Sequence, residues 1–217
     1  MTSVESARAA DSLDREWWLR TLLVLVSPRA VFEALRDDSE SAAAARQEPM
    51  AAIVFLAGAS VFLSTTTASH LFDSYDYDSL VILVETVVAG MLVGLQNYWL
   101  GGGALYLGAR WLGSTGSYRR ARHVIGLAMT PLVLSLVFVW PVALAVYGGD
   151  LFRTGGSDHG TGRWIIEGVW AAVGAWSVGL LLLGIRSVHG WSWIRSFGAL
   201  TATAVVLGAV GLAAAVL

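Results

Sequence analysis

The sequence has no cysteine, no lysine and only four prolines, and 14% of its 217 residues are charged. Without cysteine there is no disulfide, no thiolate metal ligand and no thiol nucleophile. A soluble domain carries charge at about a quarter of its positions, so the residues for a water-facing shell are scarce. Sixteen acids against fourteen bases leave a net charge of −2, which excludes the global basic field that draws nucleic acid. Catalytic signatures are lacking too. The Gly runs 101–103 and 155–156 are not followed by Gly-Lys-Ser/Thr, so there is no P-loop. Neither a Gly-x-Ser-x-Gly elbow nor a His-Glu-x-x-His pair occurs. The expectation is a non-enzymatic chain with no cofactor and no metal.

What the chain has is apolar length: 56% of it is hydrophobic, gathered in blocks. A bilayer core about 30 Å thick takes roughly 20 apolar residues of helix, and hydrocarbon offers no partner to an open strand edge. Five stretches qualify, at about 50–68, 80–100 with an apolar extension to 112, 124–146, 164–185 and 197–217. The predicted fold is all-α: a polytopic bundle of five transmembrane helices over 49–217, preceded by a region, 1–48, with short interfacial amphipathic helices. The second stretch is too long for one crossing. Gly101-Gly102-Gly103 predicts a break there, or else a tilted helix running on past the membrane. Pro131 and Pro141 each remove a backbone donor and predict kinks in the third.

Arginine supplies every base, and its distribution sets the orientation. Six precede the first stretch, and Arg110, Arg119, Arg120 and Arg122 lie between the second and third with no acid among them. With alternating sides, twelve fall on one face and two on the other. The positive-inside rule then places the N-terminus in the cytoplasm and the C-terminus outside, in a plasma (inner) membrane. In the N-terminal region, Trp17-Trp18 opens an apolar run to Val26 that is too short to span and suits the headgroup level. Ser27-Pro28 then starts a helix to about residue 37, with Val31, Phe32 and Leu35 on one face and Arg29, Glu33 and Arg36 on the other.

Several runs fall in one order: Ser-Pro-Arg-Ala-Val-Phe-Glu-Ala-Leu from Ser27; Gly101 to Leu107; Ser117-Tyr118-Arg119-Arg120; Gly126-Leu127-Ala128-Met129-Thr130-Pro131; and His189-Gly190-Trp191-Ser192-Trp193. This order resembles the Yip-domain family of five-span membrane proteins, over residues 28 to 217. The Gly-x-Ala-x-x-Pro in the third span is its most specific piece. The Ala-, Gly- and Arg-rich composition fits the family's prokaryotic branch. The resemblance implies five spans behind an N-terminal cytosolic region, and a role in membrane organisation through protein or lipid interactions.

Some polar residues stand out against the apolar background. Glu85 and Glu167 lie at similar shallow depths in the second and fourth spans, either as a proton- or cation-sensing pair or as interfacial carboxylates, Glu167 with Arg163. Gln96 and Asn97 sit deeper, as interhelical hydrogen-bond donors or as part of a solute site. Arg110, Arg119, Arg120, Arg122 and His123 form the strongest local positive patch, an anchor of topology and a contact for anionic headgroups or an acidic partner. Gly90 and Gly94, and the stripe Ala171, Ala175 and Gly179, permit close helix packing, within the chain or in a homo-oligomer or with other membrane proteins. Asp73, Asp76 and Asp78, with His70 before them, read as a solvated acidic loop more readily than as a weak cation site. Two functions are in play: an interaction protein, and a small transporter component with its polar site on the second span.

Overall fold

The computed structural model describes residues 16–73 and 79–216. With hydrocarbon as the expected solvent the backbone must satisfy itself locally, and the described residues are helical with no strand. In order they form α1 (16–23), α2 (Pro28–Ala34), α3 (Glu40–Ala45), α4 (Gln47–Leu63), α5 (Thr66–Ser69) and α6 (Ser79–Gln96). A π turn over Asn97–Gly101 leads into α7 (Gly102–Trp111). There follow α8 (Tyr118–Ala128), α9 (Thr130–Leu134), a second π turn (Ser135–Val139), α10 (Trp140–Tyr147), a 3-10 turn (Gly148–Phe152), α11 (Thr161–His189) and α12 (Trp193–Val216).

Among the described residues four helices are long and apolar enough to cross a membrane: Leu80–Trp111, Tyr118–Phe152, Thr161–His189 and Trp193–Ala214. The first predicted span, 50–68, is instead the 17-residue α4, which stops at Leu63. Its end lies where Ser64-Thr65-Thr66-Thr67 turns the backbone inward on itself. The Ser64 hydroxyl donates to the Ser60 carbonyl, and Thr65 Oγ1 accepts from Ala68 N to open α5. At about 1.5 Å per residue α4 spans about 25 Å. It is the most enclosed of the long helices, with Met50, Ile53, Val54, Ala57 and Phe62 buried.

No break falls at Gly101-Gly102-Gly103. The helix continues through the triplet after the π turn that ends at Gly101, and Gly102 is a packing surface. A Cβ on Gly102 would lie 2.4 Å from Arg122 Cγ and 2.9 Å from Arg122 Cα, so the missing side chain is the space that lets α8 lie against α7. Within Tyr118–Phe152 the α-pattern lapses at Met129, just before Pro131, and again in the π turn before Pro141.

The N-terminal segment is built into the bundle. Where the sequence suggested a surface helix, α2 buries Val31 and Phe32, with Leu35 just beyond it. Phe32 fills a notch in α11 at Gly184, where a Cβ would stand 2.8 Å from Phe32 Cε1. These residues join Met50, Ile53, Leu105, Val124, Leu127 and Ile185 in one apolar core. In α1, Trp17 is buried whereas Trp18, Leu19, Leu22 and Leu23, with Val26 beyond, leave an apolar row exposed.

Candidate functional site: an arginine and aromatic cluster with an adjoining cavity

One end of the bundle collects most of the charge. Ser117 precedes α8 and caps it, its Oγ accepting from Arg120 N at 3.0 Å. The same hydroxyl donates to the carboxylate of Asp38, a residue in the loop after α2. Arg119 Nε donates to Asp38 Oδ1 at 3.0 Å, and its Nη2 donates to the Asp38 carbonyl at 2.6 Å. Arg120 donates to the Arg36 carbonyl at 2.9 Å, and Arg36 Nε to the Ser187 carbonyl near the end of α11 at 3.1 Å. Partial burial opposes ionisation of Asp38. The Ser117 and Arg119 hydrogen bonds, with the charges of Arg119 and Arg120, outweigh it and hold the carboxyl below its ordinary value. Arg46, fully buried at the start of α4, donates to the carbonyls of Ala42 (2.6 Å) and Asp37 (2.7 Å) and lies over the Trp17 ring. The loop 36–39 is thus held from three sides.

Arg122 is held differently. Its guanidinium carbon lies 3.8 Å from the centre of the Trp99 ring, 4.9 Å from Tyr118 and 5.3 Å from Tyr98. Tyr118 Oη closes the cage by donating to the Trp99 carbonyl at 2.9 Å. No carboxylate pairs with Arg122 among the described residues, and its buried Nε has no hydrogen-bond partner. Next to it His123 is 5% exposed, and its buried Nδ1 is likewise unpartnered.

A cavity of about 810 Å³ opens beside this pair. Arg119, Arg122, His123, Gln47 and Glu40 contribute polar groups to its wall, while Met50, Val54, Phe55, Met91 and Leu95 supply an apolar lining from α4 and α6. The two helices run antiparallel and meet backbone to backbone. A Cβ on Gly58 would lie 2.1 Å from the Gly90 carbonyl oxygen, and one on Gly94 would lie 2.2 Å from that of Val54. From that crossing the cavity extends toward the arginines. Gly126, first residue of the Gly-x-Ala-x-x-Pro run, backs onto the cavity wall. A Cβ there would meet Met50 Sδ at 3.0 Å and Tyr98 Cε2 at 3.4 Å.

The polar residues of the second span are not gathered by the fold. Gln96 and Asn97 are exposed on the outer surface of the bundle, with the Asn97 amide donating to the Val93 carbonyl of its own helix at 3.0 Å. Glu85 is half-buried, with no ion pair among the described residues. Glu167 accepts from Arg163 Nε at 2.6 Å, beside a separate cleft of about 250 Å³ lined by Trp140 and Trp170. Gly90 and Gly94 pack within the chain, whereas Ala171, Ala175 and Gly179 face outward and Gly179 has open space where a Cβ would stand. Arg110 is exposed, its guanidinium over Tyr106. Asp76 and Asp78 lie outside the described residues. Asp73 accepts from Thr154 N at 2.7 Å and pairs with His70 at 2.8 Å. Among the described residues no three His, Cys, Asp or Glu side chains converge as a metal site. The residues that sequence reasoning missed are Asp38, Ser117 and Arg46, together with the Tyr98-Trp99 wall. Only the Tyr98-Trp99 pair, aromatic residues near the end of an apolar run, carried a local signal.

Apolar helices of spanning length, closed at one end by arginine and aromatic side chains, define a helical membrane protein. Residues 22–215 match the family model of the Yip1 domain, and the chain belongs to that family. Comparison with curated proteins found no match, and comparison with solved structures found none either.

Proposed function

We propose that this chain is a non-enzymatic interaction protein of the plasma membrane that helps to organise or assemble membrane components. In this reading α4 crosses the membrane with the other four long helices, the N-terminus and the arginine-rich end are cytosolic, and the C-terminus is outside. The carrying observation is the docking of the N-terminal segment on α8 through Asp38, Ser117 and Arg119. It gives a preorganised face to anionic headgroups, a second copy or another membrane protein, in place of a tethered tail. Each arginine near an anionic surface contributes about 1 kcal/mol, and the apolar row of α1 adds contact with the leaflet. A transporter would bring polar residues of several spans together at mid-depth, and Gln96 and Asn97 point away from the bundle instead.

The test is extraction of the full chain into lipid nanodiscs directly from its membrane, followed by mass spectrometry of the intact assembly. Other membrane proteins, or a defined multiple of this chain with anionic lipid, are the expected companions, and they should be lost in Arg119→Gln. A monomer that carries a small solute into vesicles, and loses uptake in Asn97→Ala at unchanged protein level, would overturn the reading.

A further inference from the structure

We propose that the cavity between α4, α6 and α8 binds one anionic phospholipid. An acyl chain lies along Ala51, Phe55, Met91 and Leu95, and the phosphate is held by Arg122 beside His123. The assignment rests on the membrane role proposed above and gives it a specific ligand. Three independent features of the site converge on that chemistry.

The first is shape. Small-molecule sites commonly measure about 300–1,000 Å³, and this one, at about 810 Å³, is apolar at one end and basic at the other. The backbone contact of Gly58 with Gly90 and Gly94 joins the helices at the apolar end. A ligand therefore enters from the side or from the arginine-rich end, chain first toward the crossing.

The second is unmet polarity. His123 is more than nine-tenths buried on the cavity wall with an unpartnered Nδ1, and Arg122 has a buried Nε without a partner and no carboxylate. Buried polar atoms are normally satisfied, and a guanidinium is matched by phosphate oxygens through charge-assisted hydrogen bonds. Arg119 is already committed to Asp38, and Glu40 sits exposed on the wall, so Arg122 is the base left for an incoming anion.

The third separates anionic from zwitterionic headgroups. A quaternary ammonium seeks an aromatic cage. The faces of Tyr98, Trp99 and Tyr118 are already taken by the guanidinium of Arg122. A choline group at these rings meets the like charge of that guanidinium, whereas a phosphate with a neutral or anionic alcohol meets its open donors.

The purified full chain, stripped of lipid in mild detergent, is titrated with phosphatidylglycerol and with phosphatidylcholine of identical chains, and bound lipid is counted by native mass spectrometry. Wild type should hold phosphatidylglycerol about tenfold more tightly. Arg122→Gln should abolish the preference and Arg122→Lys should keep part of it. Ala51→Trp, a bulky change at an exposed wall position, should weaken retention of both lipids, and it carries the test if the Arg122 variants do not fold. Equal retention of the two lipids by wild type, a preference untouched by Arg122→Gln, or undiminished retention of both lipids by Ala51→Trp overturns the proposal. So does displacement of the lipid by glycerol 3-phosphate at equal concentration, which would mark a site for a soluble anion. Ala51→Trp reads cavity occupancy, while co-purifying chains read the broader role, so the two ideas fail separately.

Discussion

The crossing of α4 and α6 makes one substitution expected to act with opposite signs at two places. Gly94→Ala puts a methyl group 2.2 Å from the Val54 carbonyl oxygen and 3.0 Å from its carbon, both backbone atoms that cannot rotate away. To reach ordinary contact the helices must part by roughly 1 Å, a gap that forfeits about half the dispersion well of the atoms along the seam. Overpacking of this kind costs about 1–3 kcal/mol, set against about 1 kcal/mol gained from the better helix propensity of alanine. Because the clash is with backbone, the upper end of that range applies, and the net expectation is a loss of about 2 kcal/mol. Gly179→Ala, on α11, meets nothing within 4 Å, so only the propensity gain of up to about 1 kcal/mol remains. Thermal unfolding in one detergent, followed through the ten tryptophans, should show the Gly94 variant melting below wild type and the Gly179 variant level with it or above. If both variants fall equally, or Gly94→Ala is silent, the backbone contact described here is wrong.

Three further outcomes follow from other parts of the chain. Asp38→Ala should cost about 1–3 kcal/mol through lost hydrogen bonds to charged groups and speed hydrogen exchange over 28–46. Because the folded carboxyl titrates below 3.8, its contribution is complete above that pH and is lost as the pH falls through the lower folded value, so acid should reproduce the variant and neutral pH should not. Asp73 is held down to about 2, first by the Thr154 hydroxyl, then by the Thr154 N–H and His70. Its tie to the 148–160 segment should persist to well below pH 3.8 and vanish in Asp73→Ala, with faster proteolysis there as the readout. The absence of cysteine makes single-cysteine labelling clean: an impermeant maleimide should reach Thr161→Cys in intact cells and Ser41→Cys only after permeabilisation, and the reverse pattern would refute the orientation.

The long apolar helices were legible because hydropathy integrates over about 20 residues. The end of α4 was not, since it depends on single hydroxyls at Ser64 and Thr65 finding backbone partners, which an average over a window erases. Gly101–Gly103 left a break and a continuing helix both open, and choosing between them needed a distant contact. Glycine marks flexibility only when nothing approaches, and Arg122 approaches from twenty residues downstream. The amphipathic face of α2 could be read, but its partner, the Gly184 notch in α11, lies about 150 residues away. The Arg119–Arg122 patch was visible as charge. That Arg119 is spoken for and Arg122 is not depends on Asp38, whose place beside Ser117 no local pattern encodes.

The π turn at Asn97–Gly101 amounts to one residue spliced into a regular helix. Each residue turns an α-helix by about 100°, so everything beyond the splice is re-aimed relative to α6. Upstream of it, Gly90 and Gly94 face α4, and downstream Gly102 faces Arg122 of α8. A single-residue deletion within 97–101 would restore the regular ladder and change no residue on either side of it. It would also swing Gly102 away from α8, so α4 and α8 could no longer be served at once. In this stretch the count of residues carries as much instruction as their identity.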